Sequence, residues 1–268
     1  MTNGDEPERT PRANLGEEVY RLLWKRILDR GLRPGDKLSD LRLSQELGVS
    51  RTPAREALQR LVSDGIVRPE RNRGFFVASF SASDIAEIYD LRATLETMAL
   101  REAAPRLTPD LLRSAQIDLD ISEARLTAAD TESEKLEAHT AFLEVDRGFH
   151  RSLVELAGNS RLQNMVEGLW AQIAVFQWAG GFRDHWTAAA ISRHRSIIAA
   201  MLERDVERAT EELRQHIDEV KLWAIEELGT AQPNIEPVPA RSPRLLATTA
   251  TRESCRNGPS LDAANHRA

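Results

Sequence analysis

Four residues in the second half of the chain have the types needed to hold a divalent cation. In Asp146-Arg147-Gly148-Phe149-His150 the carboxylate and the imidazole are four apart, so on a helix they share one face, a turn from each other. His194 interrupts an apolar stripe formed with Ile191, Ile197 and Ile198, and His216 does the same beside Leu213, Ile217 and Val220. Three imidazoles and a carboxylate suit Zn²⁺, Ni²⁺ or Mn²⁺, and ligand type does not select among them. A single helical histidine is more often a hydrogen-bonded core or surface residue than a ligand. Spacing alone therefore leaves both readings open.

A second constellation lies near the other end. Ser50, Arg51, Thr52 and Arg55 gather at the start of a predicted helix, just after the turn sequence Leu47-Gly48-Val49. Polar residues there are placed as in a recognition helix entering the major groove. The planar fork of arginine can grip guanine O6 and N7, or a phosphate, with two hydrogen bonds. Helix-turn-helix patterns are common by chance, and the competing reading is a surface helix with solvated arginines. The turn glycine, the capped second helix and the basic hairpin tip Glu70-Arg71-Asn72-Arg73-Gly74 together favour DNA contact, with Arg71 and Arg73 reaching flanking backbone or minor groove.

These side chains must be held by elements that the pattern of apolar residues predicts. A first helix is expected over 15–30, stopped by Gly31, and residues 32–36 read as a turn. A second helix starts at Ser39 or Asp40 and stops at Gly48. A third is expected from Pro53, with Thr52 as its cap, to about Asp64. Short strands over 66–68 and 75–80 flank the basic tip. From Asp84 strand signals vanish, and six helices are predicted over 84–104, 109–128, 134–157, 160–179, 183–203 and 205–228. The predicted fold is mainly α. A winged helix-turn-helix over 12–80 precedes an all-α six-helix domain over 84–228, and an aperiodic tail over 229–268 is expected to be disordered.

Charge divides along the same boundary. Residues 12–80 carry 14 Lys+Arg against 9 Asp+Glu, whereas residues 84–228 carry 16 against 27. The net charge of −6 thus conceals a basic first part suited to nucleic acid and an acidic second part. Acidic helices that are merely solvated would explain the second part equally. The single cysteine, Cys255, cannot form an internal disulfide, no signal-peptide pattern is visible at Met1–Asn14, and no apolar run is long enough for a membrane helix. A cytoplasmic protein without membrane contact is expected.

Arg33-Pro34-Gly35-Asp36-Lys37-Leu38, the run from Leu47 to Leu58, and Leu61-Val62-Ser63-Asp64-Gly65-Ile66-Val67 closely resemble the GntR family of bacterial transcription regulators. That resemblance implies a winged helix that binds palindromic operators as a homodimer, with Arg51 and Arg55 at the positions of the main DNA-contacting arginines. Arg42 stands where an acidic residue is frequent in the family; it either adds a phosphate contact or is simply exposed. The six helices that follow resemble the FadR-type effector-binding domain known as FCD. This implies a divalent metal held by Asp146, His150, His194 and His216, and a carboxylate effector beside it. The resemblance puts Arg92 in the effector cavity; its alternative is a local pair with Glu96, worth only a few tenths of a kcal/mol on an exposed helix. His139 has no role in the family motif and is expected at the surface. Trp170, Phe176, Trp178, Phe182 and Trp186 either line a pocket or belong to the core.

The function expected is a ligand-responsive regulator, a repressor as is usual in the family. A metal-dependent hydrolase fused to a DNA-binding module is the alternative from another class. No general acid/base partner, His-Glu-x-x-His pattern, nucleophile elbow or phosphate-binding glycine loop accompanies the four candidate ligands. A purely structural metal is the third reading.

Overall fold

The computed structural model describes residues 12–28, 31–177 and 184–231. Helix α1 (Arg12–Leu28) leads into strand β1 (Lys37–Leu38), helices α2 (Asp40–Leu47) and α3 (Arg51–Ser63), and strands β2 (Val67–Glu70) and β3 (Gly74–Val77). The strands form an antiparallel sheet in the order β1-β3-β2, with Lys37 opposite Phe76 and Val67 opposite Val77. This is a winged helix-turn-helix. Its core comprises Val19, Leu23 and Ile27 of α1, Leu43 of α2, Ala54, Ala57, Leu58 and Leu61 of α3, and Val67 and Val77 of the sheet.

Local chemistry explains the turn between α2 and α3. The Ser39 hydroxyl accepts from the Arg42 amide to cap α2, and Gly48 ends it in the left-handed region at φ 65°. Helix α3 begins at Arg51, two residues before the predicted start, and Ser50 takes the cap position in place of Thr52. The first amides of a helix have no intrahelical acceptor, so Pro53 as third helical residue sacrifices no hydrogen bond. Strand β1 lies just past the predicted turn and was not anticipated, because two residues carry no readable alternation. The hairpin is also shifted: β2 extends through Pro69 to Glu70, tolerable because β2 is an edge strand, and β3 ends at Val77 rather than Phe80.

The second part contains α4 (Ala82–Ala103), a 3₁₀ turn (Ala104–Arg106), α5 (Pro109–Ala128), α6 (Glu132–Ala157), α7 (Ser160–Gln177), α8 (Asp184–Leu202) and α9 (Val206–Ala231). Capping boxes at Ser81/Asp84 and Thr131/Glu134 start α4 and α6 two residues before the predicted limits. Thr108 caps α5, whose first residue is Pro109, as predicted. Helix α9 continues three residues past the predicted end at 228; of the expected tail, residues 232–268 lie outside the described residues. The bundle core runs through Tyr89, Leu100, Phe142, Leu153, Ile191, Ile197, Leu213 and Ile217.

Helix α7 packs on both cores. Val175 belongs to the winged-helix core and Ala171 packs against it, while Ile173 and Phe176 belong to the bundle core. The Phe176 ring meets Phe80, three residues past β3, edge-on at 5.6 Å. Gly65, at φ +74°, lets the backbone after α3 approach Gln172 so closely that a Cβ there would sit 2.8 Å from the amide carbon.

Candidate metal centre and nucleic-acid interface

Helices α6, α8 and α9 bring Asp146, His150, His194 and His216 to one point inside the bundle. One ligand atom from each lies within 4.8 Å of all the others. Asp146 Oδ1 is 3.8, 3.5 and 3.7 Å from the Nε2 atoms of His150, His194 and His216, and the His150 and His216 Nε2 atoms are 3.3 Å apart. A tetrahedral shell with donors about 2.0–2.1 Å from zinc would space neighbouring donors about 3.3 Å apart, so these residues nearly have the size of such a shell. Two of the converging atoms, Asp146 Oδ1 and His194 Nε2, are buried with no hydrogen-bond partner. Buried polar atoms without partners are costly. A cation at their centre would satisfy both, and the donor set of nitrogen and carboxylate oxygen fits a divalent metal.

The rings are oriented for this from behind. His194 Nδ1 donates to the Ala190 carbonyl at 2.8 Å, one turn back on α8, which leaves its Nε2 lone pair facing Asp146. The Phe149 ring packs perpendicular to the His194 ring at 4.7 Å. Burial pushes the His194 pKa down to about 4, with Asp146 opposing and His150 and Arg92 reinforcing the shift. Burial likewise holds His216 well below the ordinary histidine value, aided by the neighbouring His194, His150 and Arg92. Both imidazoles are therefore neutral near pH 7, the form that ligates metals.

Arg92 on α4 is 4% exposed, and its charge acts on Asp146, His194 and His216 of this cluster. Its Nε donates to Glu96 Oε1 at 2.8 Å. Burial opposes the charge on Arg92, but Glu96 together with Tyr89 and Asp146 outweighs it and raises the pKa. Burial by itself would raise Glu96; Arg92 and His150 instead bring it down to about 2. The alternative reading, a local pair with Glu96, thus exists, yet as a buried pair that influences the four-residue cluster and not as a solvated one.

On the winged helix, Arg42, Ser50, Arg51, Thr52, Arg55, Arg71 and Arg73 are all exposed. Arg51, Thr52 and Arg55 share a shallow open concavity with Asp40, Glu56 and Gln59. The Arg51 guanidinium leans on the Asp40 carboxylate at 3.2 Å while its side chain stays 62% exposed. Arg73 donates to Glu70 at 2.7 Å and lies over the Phe76 ring, so the hairpin tip holds one of its two arginines near the strand.

The family model of bacterial regulatory proteins of the gntR family matches residues 15–77, and that of the FCD domain matches residues 87–219. The Nta operon transcriptional regulator of Aminobacter aminovorans is 30% identical over 190 residues, covering 69% of this chain and 82% of its own length. The chain belongs to the GntR family. It is a DNA-binding transcriptional regulator whose C-terminal part is an FCD effector domain. The repressor RspR of Escherichia coli is 24% identical over 215 residues, 80% of this chain and 91% of the relative. Among solved structures, a GntR regulator from Rhodococcus sp. RHA1 superposes with a TM-score of 0.64 at 25% identity, covering 80% of this chain and 98% of that one. The relatives of this GntR chain are regulators and not enzymes, and the hydrolase reading finds no support among them.

Some expectations for this GntR protein need correction. His139 is not at the surface: it is 4% exposed and hydrogen-bonds through Nδ1 with Thr187 Oγ1 at 2.7 Å. Seven residues before Asp146 is two helical turns, which puts it on the same inward face. Among the aromatic candidates, Trp186 stacks on Trp223 and meets Phe142 edge-on, and Phe176 packs on Phe80 and Tyr89, so these serve the core. Trp170 instead donates through Nε1 to Glu96 Oε1 at 2.8 Å. Trp178 and Phe182 lie outside the described residues. In the sequence Glu96 stands out only as a partner for Arg92. Its signal was present: Tyr89, Ala93 and Leu100 place positions 92 and 96 on an apolar helix face.

Proposed function

We propose that this regulator is a cytoplasmic homodimeric repressor of palindromic operators. In this reading a small carboxylate effector, bound beside a divalent metal at Asp146, His150, His194 and His216, controls its affinity for DNA. The convergence of four buried donors, two of them unsatisfied, carries the reading. When bound, the metal would supply positive charge and an open position for an anionic ligand. Asp146 and the three imidazoles would hold it, and Arg92 would add a second cationic group for a carboxylate. Ser50, Arg51, Thr52 and Arg55 would enter the major groove, with Arg42, Arg71 and Arg73 on flanking backbone. No helix among the described residues is long and apolar enough to cross a membrane.

Helix α7 offers a route from effector site to DNA. Trp170 reaches Glu96 beside the cluster, and Ala171 and Val175, one and five residues further, pack on the winged-helix core. An effector that prefers one setting of α7 would shift the winged helices; one without such a preference would change nothing. The domain division is taken as 12–80 and 84–228, with the two parts meeting along this helix.

Elemental analysis of the purified protein tests the metal, with His150→Ala, His194→Ala and His216→Ala alongside. About one divalent metal per chain, lost in each variant, is the expected outcome. No metal even after reconstitution would remove the four-residue assignment and leave the winged helix intact. Operator binding is then titrated with organic acids on the metal-loaded protein. The near-complete burial of all three imidazoles favours one second reading, a metal that only staples the helices. In that case metal removal lowers the melting temperature and no acid shifts DNA affinity.

A further inference from the structure

We propose that Glu96 is a positioning residue for the metal centre, acting through His150. The inference rests on the metal reading above and assigns a role to a residue outside the four candidate ligands.

Glu96 is fully buried on α4, and three donors from three helices converge on its carboxylate. His150 Nδ1, on α6, is 2.5 Å from Oε2; Arg92 Nε and Trp170 Nε1, from α4 and α7, are each 2.8 Å from Oε1. An ionised carboxylate can only accept, so His150 Nδ1 carries its proton toward Glu96. The other ring nitrogen is then left with its lone pair, and this Nε2 is the atom 3.3 Å from His216 Nε2 and 3.8 Å from Asp146 Oδ1. Glu96 therefore decides both which nitrogen of His150 is free and where it points.

The partners of the other rings differ. His194 is oriented by a backbone carbonyl of its own helix, which is present whatever the side chains are. His150 depends on a side chain from a neighbouring helix, so its orientation is open to substitution. A buried carboxylate would be unfavourable without compensation, and Arg92 and Trp170 provide it. Arg92 neutralises the charge and Trp170 fixes Oε1, which leaves Oε2 for His150. Histidine ligands commonly need such an outer partner, whose loss weakens metal binding by about 10–100-fold.

The test uses the full chain, with Zn²⁺ as the probe, in wild type and Glu96→Gln. Affinity is read by competition with a chromophoric chelator, and the protons on the imidazole nitrogens by ¹⁵N NMR of histidine-labelled protein. Glu96→Gln is expected to weaken Zn²⁺ by about 10-fold or more and to alter the Nδ1–H signal of His150, leaving those of His194 and His216 in place. Affinity within twofold of wild type would overturn the proposal, as would a loss of affinity with the His150 signal unchanged. Should Glu96→Gln fail to fold, Glu96→Asp carries the same test. It keeps the charge opposite Arg92 and withdraws the carboxylate from His150 by one methylene. If wild type itself binds no Zn²⁺, the metal reading falls and this inference with it; if only the variants behave as wild type, this inference alone falls.

Discussion

Two arginine–carboxylate pairs, one in each half of the molecule, show how burial decides what a charge can do. Arg51 and Asp40 meet at 3.2 Å on the exposed side of the winged helix, with the arginine side chain 62% exposed. Arg92 and Glu96 meet at 2.8 Å with side chains 4% and 0% exposed. Water and salt screen the first pair, so it is weak; in the proposed DNA-binding role Arg51 would exchange Asp40 for a phosphate or base. The second pair cannot be released without leaving a charge in an apolar interior, so it works as fixed framework. One pair suits a surface that must change partners, the other a site that must keep its geometry.

The largest expected effect comes from cutting the buried pair. Arg92→Ala leaves Glu96 ionised and short of its cation, which should cost about 3–5 kcal/mol. A thermal melt of the metal-free protein should show a drop on the order of 10 °C. A change below about 1 kcal/mol would mean the buried pair behaves like a surface one, and the contrast would break. Next is Arg51→Ala, expected to weaken binding by about 1–3 kcal/mol without lowering the melting temperature. It is measured on a DNA fragment selected from a random pool by the wild-type protein. Equal affinity of variant and wild type would remove Arg51 from the interface.

The seam between the two regions gives a smaller effect. Gly65→Ala places a Cβ at positive φ and against Gln172, and about 1–2 kcal/mol of stability should be lost. Pairing it with Gln172→Ala, which removes the obstructing amide, should relieve the clash but not the backbone strain; full recovery of stability would show that strain contributes nothing. The smallest effect is expected for Asp40→Asn, with a stability change under about 1 kcal/mol. DNA affinity should stay equal or rise, because Arg51 no longer has to leave a carboxylate. A clear fall would show instead that Asp40 aims Arg51 at the DNA.

Much of this was legible beforehand because it is local. Gly48 after Leu47, Thr108 before Pro109 and the apolar spacing from Val19 to Ile27 each act within a turn or two of chain, and the elements follow. Misplaced limits arose where local signals compete, as at Thr52-Pro53, or where a strand is too short to alternate, as at Lys37–Leu38. His139 is buried although the family motif gives it no role, because helical phase sets it on the inward face with Asp146.

By itself, the sequence determined the helix-turn-helix and the helical second half, for which helical phase and side-chain type suffice. The four candidate metal ligands stood out by residue type, and only the family resemblance joined them into one set. Only the tertiary structure decided that Asp146 Oδ1 and three Nε2 atoms from α6, α8 and α9 share one centre, that Glu96 ties His150 to Trp170, and that α7 packs on both cores. Those relations join residues far apart in the chain, Glu96 and Trp170 by 74 positions, and no local preference encodes a distance between helices. It emerges when apolar faces pack and buried polar atoms must find partners in the space that remains.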